Sequence, residues 1–192
     1  MARPIVLLAI LLLIAPVGCA TRGRSVRGVP NFATIEDGLY RGGQPTREGI
    51  EYLKERGVRS IINLRDDFNP REEVWAHDAG MHYVLIRTNA ARVRTVQVAR
   101  FLKEVEDAPR PIFVHCYHGR DRTGLEVAVY RIVKCGWTRD AALSELYAYG
   151  YQWAAFPGLA RYVASFNEDE FATAPFAGSP TASGSAVRLA IP

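Results

Sequence analysis

Residues 115–124 read His115-Cys116-Tyr117-His118-Gly119-Arg120-Asp121-Arg122-Thr123-Gly124, which gathers a thiol, two imidazoles, two guanidiniums and a carboxylate into ten positions. The cysteine closes the apolar run Ile112–His115, which reads as a strand, and a helical pattern starts near Thr123. A thiol at a strand end and at the mouth of a helix meets unpaired backbone amides and the positive end of the helix dipole, and both favour the thiolate. The five residues between Cys116 and Arg122 are enough to curl the backbone into a nest of inward N–H groups. Gly119 permits the unusual backbone angles of such a nest. Arg122 returns to the ring, where its fork can grip two oxygens of a tetrahedral dianion. Thr123 can hydrogen-bond the sulfur and ease its departure. The competing reading, a buried cysteine beside a surface arginine, requires the spacing, the strand-loop-helix setting and the neighbouring Gly, Thr and His all to coincide.

The stretch resembles the His-Cys-x5-Arg-[Ser/Thr]-Gly loop of the cysteine phosphatases. A rhodanese-like sulfur carrier also uses a cysteine loop, but the Cys-to-Arg spacing and the Arg-Thr-Gly ending favour phosphate. Gly38-Leu39-Tyr40-Arg41-Gly42-Gly43-Gln44-Pro45 and Ser60-Ile61-Ile62-Asn63-Leu64-Arg65 extend the likeness to the bacterial atypical dual-specificity phosphatases, over most of residues 31–155. That resemblance implies the compact α/β phosphatase fold and phosphomonoester hydrolysis through a cysteinyl-phosphate, with no metal and no cofactor. It implies Cys116 as nucleophile, Arg122 as phosphate clamp, Thr123 beside the sulfur, and a phosphate ring built from Tyr117, His118, Gly119, Arg120, Asp121 and Arg122. His115 is expected to support the loop from inside. Substrates of this class are phosphorylated proteins or small polyanionic phosphoesters.

The proton donor for the leaving group is less plainly written. Many relatives carry an aspartate on the loop after the strand at 82–86. Here that loop is Arg87-Thr88-Asn89-Ala90-Ala91-Arg92-Val93-Arg94, without a carboxylate. Asp121 is the best substitute, as in myotubularin-type lipid phosphatases with a Gly-x-Asp-Arg-Thr loop; its alternative role is to balance a nearby arginine. Asp66 and Asp67 lie at the same sheet edge; one of them could serve as the acid, and both can instead cap the helix near Pro70 or pair with Arg65. Arg87, Arg92 and Arg94, with Arg120 and His118, either surround the phosphate mouth and favour inositol phosphates or phosphoinositides, or are solvated arginines. Glu126 stands out among Leu125, Val127, Ala128 and Val129; it can serve the helix dipole or hold Arg122. A rival from another class is a phosphate-binding pseudophosphatase, and a third reading is an envelope scaffold.

Strands and helices alternate along the folded part. Short strands are expected at Phe32–Ile35 and Gly38–Arg41. A helix capped by Thr46 should stop at Gly57, with a buried strand at Ser60–Leu64 and a helix from Pro70 to near Gly80. A strand at His82–Ile86 and a helix at Thr95–Glu106 precede the Cys116 strand, and two more helices fall at 138–149 and 157–167. The fold class is therefore α/β, a small mostly parallel central sheet flanked by helices. Ligands in such sheets sit beyond the carboxyl ends of the strands, where the Cys116 loop falls. Tyr147, Tyr149, Tyr151 and Trp153 read as packing residues, and Cys135 as a small core residue too far from Cys116 for a disulfide.

The 192 residues fit one domain with terminal additions, and apolar residues at 48% suffice for a core. The net charge of +4 comes from 21 Arg and only 3 Lys, a bias that reads as genomic composition and does not point to nucleic acid. Arg3 and the apolar run Ile5–Ala15 are too short for a membrane span but fit a signal peptide over 1–18. Val17-Gly18-Cys19 resembles a bacterial lipoprotein cleavage box, with Pro16 where that box carries leucine. A lipid anchor at Cys19 and a periplasmic or envelope location follow from that resemblance, with Arg22, Arg24 and Arg27 near an anionic surface. Residues 19–30 read as a linker, 31–170 as the phosphatase domain and 171–192 as a disordered tail.

Overall fold

The structure, a computed structural model, describes residues 23–67 and 69–173. The leader, Cys19 and almost all of the C-terminal tail lie outside the described residues. Six strands form one sheet in the order β1-β2-β3-β6-β4-β5: β1 (Arg24–Val26), β2 (Val29–Glu36), β3 (Leu39–Gly42), β4 (Ser60–Asn63), β5 (His82–Leu85) and β6 (Ile112–His115). β3, β6, β4 and β5 run parallel, while β1 and β2 add an antiparallel edge. β6 therefore lies between two parallel neighbours, and all four of its side chains are buried.

The linker expected over 19–30 is corrected from residue 24 onward. Arg24 pairs with Phe32 and Val26 with Val29, so this basic segment is an edge strand. Its arginines hid the pattern. Arg27 reaches across to the Glu55 carboxylate of α1 (Arg47–Glu55) and lies over the Tyr52 ring, which tethers the turn after β1 to that helix. At the other end, α7 (Glu168–Thr173) carries the fold three residues past the expected boundary, and the Phe171 ring packs on Phe166.

Alternation along the parallel strands builds two cores. Ile61 and Phe113 face α1 and α2 (Pro70–Asp78), where Ile50, Leu53 and Ala76 meet them. Ile62, Ile112 and Val114 face the other layer with Phe101 of α3 (Thr95–Asp107) and Leu125 and Val129 of α4 (Asp121–Cys135). α4 packs against α3, α5 (Arg139–Ala148) and α6 (Pro157–Ala164). Thr46 caps α1 by accepting from the Gly49 amide, and Asn69, rather than Asp66 or Asp67, caps α2 by accepting from the Arg71 amide. Of the aromatic run, Tyr149 and Tyr151 are buried, Tyr147 is half exposed with its ring 5.3 Å from that of Tyr151, and Trp153 is exposed rather than packed.

α4 is buried nearly all round because helices cover it on several sides, and Glu126 lies inside that packing. It is 0% exposed, neither carboxylate oxygen has a described partner, and it does not hold Arg122. Burial, with nothing to offset it, pushes its carboxyl from 4.5 up to about 8; the titratable neighbour that senses it is Tyr162 of α6. The folded value stands above the unfolded one, so stability falls as pH rises between those two values and is lowest above the upper one. Glu126→Leu is expected to stabilise the fold by about 2–5 kcal/mol above that range and to flatten the pH dependence. Urea titrations at acid and alkaline pH measure this, and an unchanged pH slope contradicts it.

Candidate active site

Cys116 follows β6 directly, at the carboxyl edge of the sheet, between the Gly42-Gly43 turn after β3 and Leu64-Arg65 after β4. Residues 117–120 bend away from the strand axis and α4 begins at Asp121, two residues earlier than its expected start. None of the backbone amides of residues 117–123 donates to another described carbonyl or side chain. Nor does any side chain cap this end of α4.

The carbonyls of the loop, in contrast, are held from outside. The Gln44 amide donates to the Tyr117 carbonyl at 3.0 Å, and His115 Nδ1 lies 3.1 Å from the Cys116 carbonyl. The Gly119 carbonyl accepts from Arg41 at 3.1 Å and from the Asn31 side chain at 3.0 Å. A trans peptide points its C=O and its N–H in opposite directions. Pinning the carbonyls of 116, 117 and 119 outward therefore turns the amides of 117, 118 and 120 inward. Gly119 is required here: its φ is +71°, and a Cβ would lie 2.4 Å from the Gly42 backbone. Asn31 itself adopts a φ of 51°, a conformation asparagine tolerates better than most residues.

Cys116 is 2% exposed and lines a cleft of about 280 Å³ with Asp67, Ala90, Tyr117, His118, Asp121, Arg122, Gln152 and Phe156. Arg122 is gathered to this cleft but its guanidinium is engaged: Nη1 lies 2.5 Å from Asp66 Oδ1 and 3.9 Å from Asp67 Oδ1. Asp121 is buried and its Oδ1 accepts from the Gln152 amide at 2.8 Å. Asp67 pairs with Arg65 at 2.9 Å, and that hydrogen bond holds its carboxyl below the usual range. Thr123 Oγ1 is buried without a described partner. The side chain of Arg120 departs from the ring: it lies beside Gly150 and lines a second cavity of about 410 Å³ with His118, Tyr117, Asn31, Gln44 and Tyr149. From the facing loop only Ala90 reaches the cleft wall, while Arg87 donates to the Asp66 carbonyl. Cys116 and Cys135 are free thiols. Among the described residues no cluster of three or more His, Cys, Asp or Glu is placed to hold a metal ion.

Beneath the loop, His115 Nε2 and Glu72 Oε1 are 2.6 Å apart, both fully buried. The two ring nitrogens of His115 face a carboxylate and a carbonyl. The other Glu72 oxygen accepts from Gln44 at 2.7 Å and Asn63 at 3.0 Å. Burial works to raise the Glu72 carboxyl, but His115, Gln44 and Tyr83 together outweigh it and hold the group below its ordinary value. Sequence reasoning missed Arg41, Asn31, Gln44 and Glu72, and weighed Asp66 only for roles other than the partner of Arg122, because these residues act from separate segments. The runs Tyr40-Arg41-Gly42-Gly43-Gln44 and Asn63-Leu64-Arg65 were noticed only as a likeness.

A Cys-x5-Arg loop at the end of the central strand of this sheet, followed by a helix buried between helices, defines the class of the cysteine-phosphatase fold. A family model described as "DSP-PTPase phosphatase fused to NAD+ Kinase" matches residues 28–155, and the chain belongs to that family. The chain is 33% identical over 124 residues to the dual specificity protein phosphatase TpbA of Pseudomonas aeruginosa (strain UCBPP-PA14), covering 63% of this chain and 55% of that protein. It thus spans about half the length of that relative. It is also 31% identical over 124 residues to the inositol diphosphatase DSP3 of Arabidopsis thaliana, covering 60% of each. The crystal structure of P. aeruginosa TpbA superposes with a TM-score of 0.67 at 26% identity, covering 80% of this chain and 95% of that one. A variant of the same protein in complex with pTyr gives 0.64 at 26% identity, covering 77% and 95%.

Removing Glu72 would leave the buried His115 ring without its carboxylate partner and strand the Gln44 and Asn63 donors. Glu72→Ala is expected to cost about 3–5 kcal/mol of stability. Glu72→Gln, which keeps an acceptor, should lose less. Denaturant titration of the two variants checks the order, and equal stabilities would contradict the buried pair.

Proposed function

We propose that this protein is a phosphomonoester hydrolase of the protein-tyrosine and dual-specificity type that works through a cysteinyl-phosphate. The observation that carries the reading is the ring of unpaired amides at 117–123 around a buried Cys116, with Arg122 on the rim. In the proposed first step the Cys116 thiolate attacks phosphorus in line and the bond to the ester oxygen breaks. The inward amides and the Arg122 fork hold the equatorial oxygens. The phosphate displaces the Asp66 carboxylate from Arg122, since one guanidinium edge serves both. Asp121 gives its proton to the departing oxygen; it is preferred over its neighbours because it lines the Cys116 cleft, which Asp66 does not, and because Asp67 is tied to Arg65. In the second step water attacks the phosphocysteine, Asp121 takes the proton, and the Thr123 hydroxyl, which lacks a described partner, donates to the leaving sulfur.

For the substrate, phosphorylated protein is the first reading, supported by the relatives named for dual specificity and by the pTyr complex. An inositol phosphate or phosphoinositide is the second, favoured by the inositol diphosphatase relative and by Arg120 and His118 in the cavity beside the cleft. The pseudophosphatase reading predicts binding without turnover.

Wild type should hydrolyse p-nitrophenyl phosphate in the presence of EDTA, and Cys116→Ser should lose turnover while still binding phosphate. Arg122→Lys should lower the rate about 10²- to 10³-fold, as for loss of a transition-state donor. If Asp121→Asn leaves the pH–rate profile on an alkyl phosphate unchanged, Asp121 is not the acid. A panel of phosphopeptides and inositol phosphates then separates the two substrate readings.

The reading extends to export: residues 1–18 direct the chain across the inner membrane, and Cys19 carries lipid. Fractionation and palmitate labelling test this, with Cys19→Ala expected to abolish the label; an unlabelled wild type refutes the anchor.

A further inference from the structure

Arg41 is a charged side chain that the proposed reaction does not use. It enters from β3, one strand over from β6, where it is registered with Val114. It is 1% exposed, the largest of the fully buried side chains. No described carboxylate lies within ion-pairing distance of it. Glu145 of α5 is near enough to be felt, but its oxygens are taken by Arg131, 3.0 Å away. The Arg41 guanidinium lies 3.8 Å over the Tyr149 ring, its Nη2 donates to the Gly119 carbonyl, and its Nε has no partner. Burial pulls its basicity down, with partial compensation from Glu145, Tyr149 and Cys116.

A buried cation without a counter-ion is costly, and one aromatic face with one carbonyl repays that cost poorly. The negative charge it lacks is one the loop above it can supply. We infer that Arg41 is the positioning residue of the Cys116 loop: it fixes the Gly119–Arg120 peptide with its amide inward, and its buried charge is balanced by the Cys116 thiolate and the bound phosphate dianion. This rests on the phosphatase reading of the loop. Two features separate Arg41 from Arg122. Arg41 is sealed beneath the ring and does not line the Cys116 cleft, so it does not touch substrate. Its partner is a backbone carbonyl that also accepts from Asn31, so its loss loosens that peptide without freeing it. The other ionisable groups facing Cys116 are Asp67, Tyr117, His118, Asp121 and Arg122 in the cleft, with His115 behind it; those facing Arg41 are Glu145, Tyr149, Arg131 and Cys116. Only Arg41 is a buried cation with no ion-pair partner among the described residues.

The experiment compares wild type, Arg41→Lys and Arg41→Met in three readouts. These are the pH midpoint of Cys116 alkylation by iodoacetamide, the binding of inorganic phosphate, and kcat and KM on p-nitrophenyl phosphate. Arg41→Met should move the alkylation midpoint up by about one unit and weaken phosphate binding roughly 10- to 100-fold. Arg41→Lys retains charge but loses the fork that spans the ring and the carbonyl. It should leave the alkylation midpoint close to wild type while phosphate binding stays weak. Should Arg41→Met fail to fold, Arg41→Lys and Tyr149→Leu decide: weakened phosphate binding in both supports the proposal, and wild-type binding in both overturns it. Alkylation midpoint and phosphate affinity equal to wild type in folded Arg41→Met also overturn it. Absence of p-nitrophenyl phosphate turnover in wild type would sink the hydrolase reading alone, because the alkylation midpoint still reports on Arg41.

Discussion

The cleft depends on the direction in which a few peptide planes face. Between Cys116 and Thr123 the chain must present N–H groups to one side, and a peptide bond allows that only if its carbonyls face the other. In this protein the outward carbonyls are each met by a donor: His115 for Cys116, Gln44 for Tyr117, and Arg41 with Asn31 for Gly119. The loop is shaped from behind, and the space in front of it is what remains. An isolated peptide of this sequence would have no reason to hold its amides unpaired, because water or a helical turn would satisfy them.

The donors are themselves held in place. Gln44 is anchored by Glu72 and in turn accepts from Arg65 at 2.8 Å. Glu72 also meets His115 and Asn63, so one carboxylate ties α2, β4, β6 and the turn after β3 into a single buried network. Such a network is worth its desolvation only when nearly every member is satisfied. Here the carboxylate gathers enough partners to remain ionised in spite of its burial. The same cluster fixes Asn63, whose side chain accepts from the Arg65 amide and so shapes the loop that carries Asp66 and Asp67.

Two other buried charges contrast with this one. Glu126 has no partner and is driven toward its neutral form, which marks it as a liability of the packing around α4. Arg41 cannot take that route, since a guanidinium keeps its proton under all ordinary conditions. A protein that retains an unpaired buried arginine beneath an anion-shaped loop stores positive potential where a thiolate and a phosphate are proposed to sit. On the open side, Asp66 occupies Arg122 and keeps its guanidinium oriented.

The His-Cys-x5-Arg-Thr-Gly run is local, so its chemistry and its strand-loop-helix setting could be read directly from neighbouring residues. So could the alternation of strands and helices, because hydrophobic periodicity, Thr46, Gly57 and Pro70 are signals that act over a few positions. What sequence alone could not yield are contacts between distant segments. Arg24–Val26 looked like a linker because its pairing with β2 is not written in its own residues, and Arg27 beside it finds a carboxylate and a ring only after α1 is folded next to it. Asp66 looked like a helix cap and became the partner of Arg122, 56 residues away. Arg41 and Gly119 are separated by 78 residues, and Glu72 and His115 by a strand and a helix. The sequence determined which groups would be present at the carboxyl edge of β6. Only the packing of β3, α2 and β4 around that edge decided which way the loop's dipoles face, because orientation comes from partners that the chain order keeps far apart.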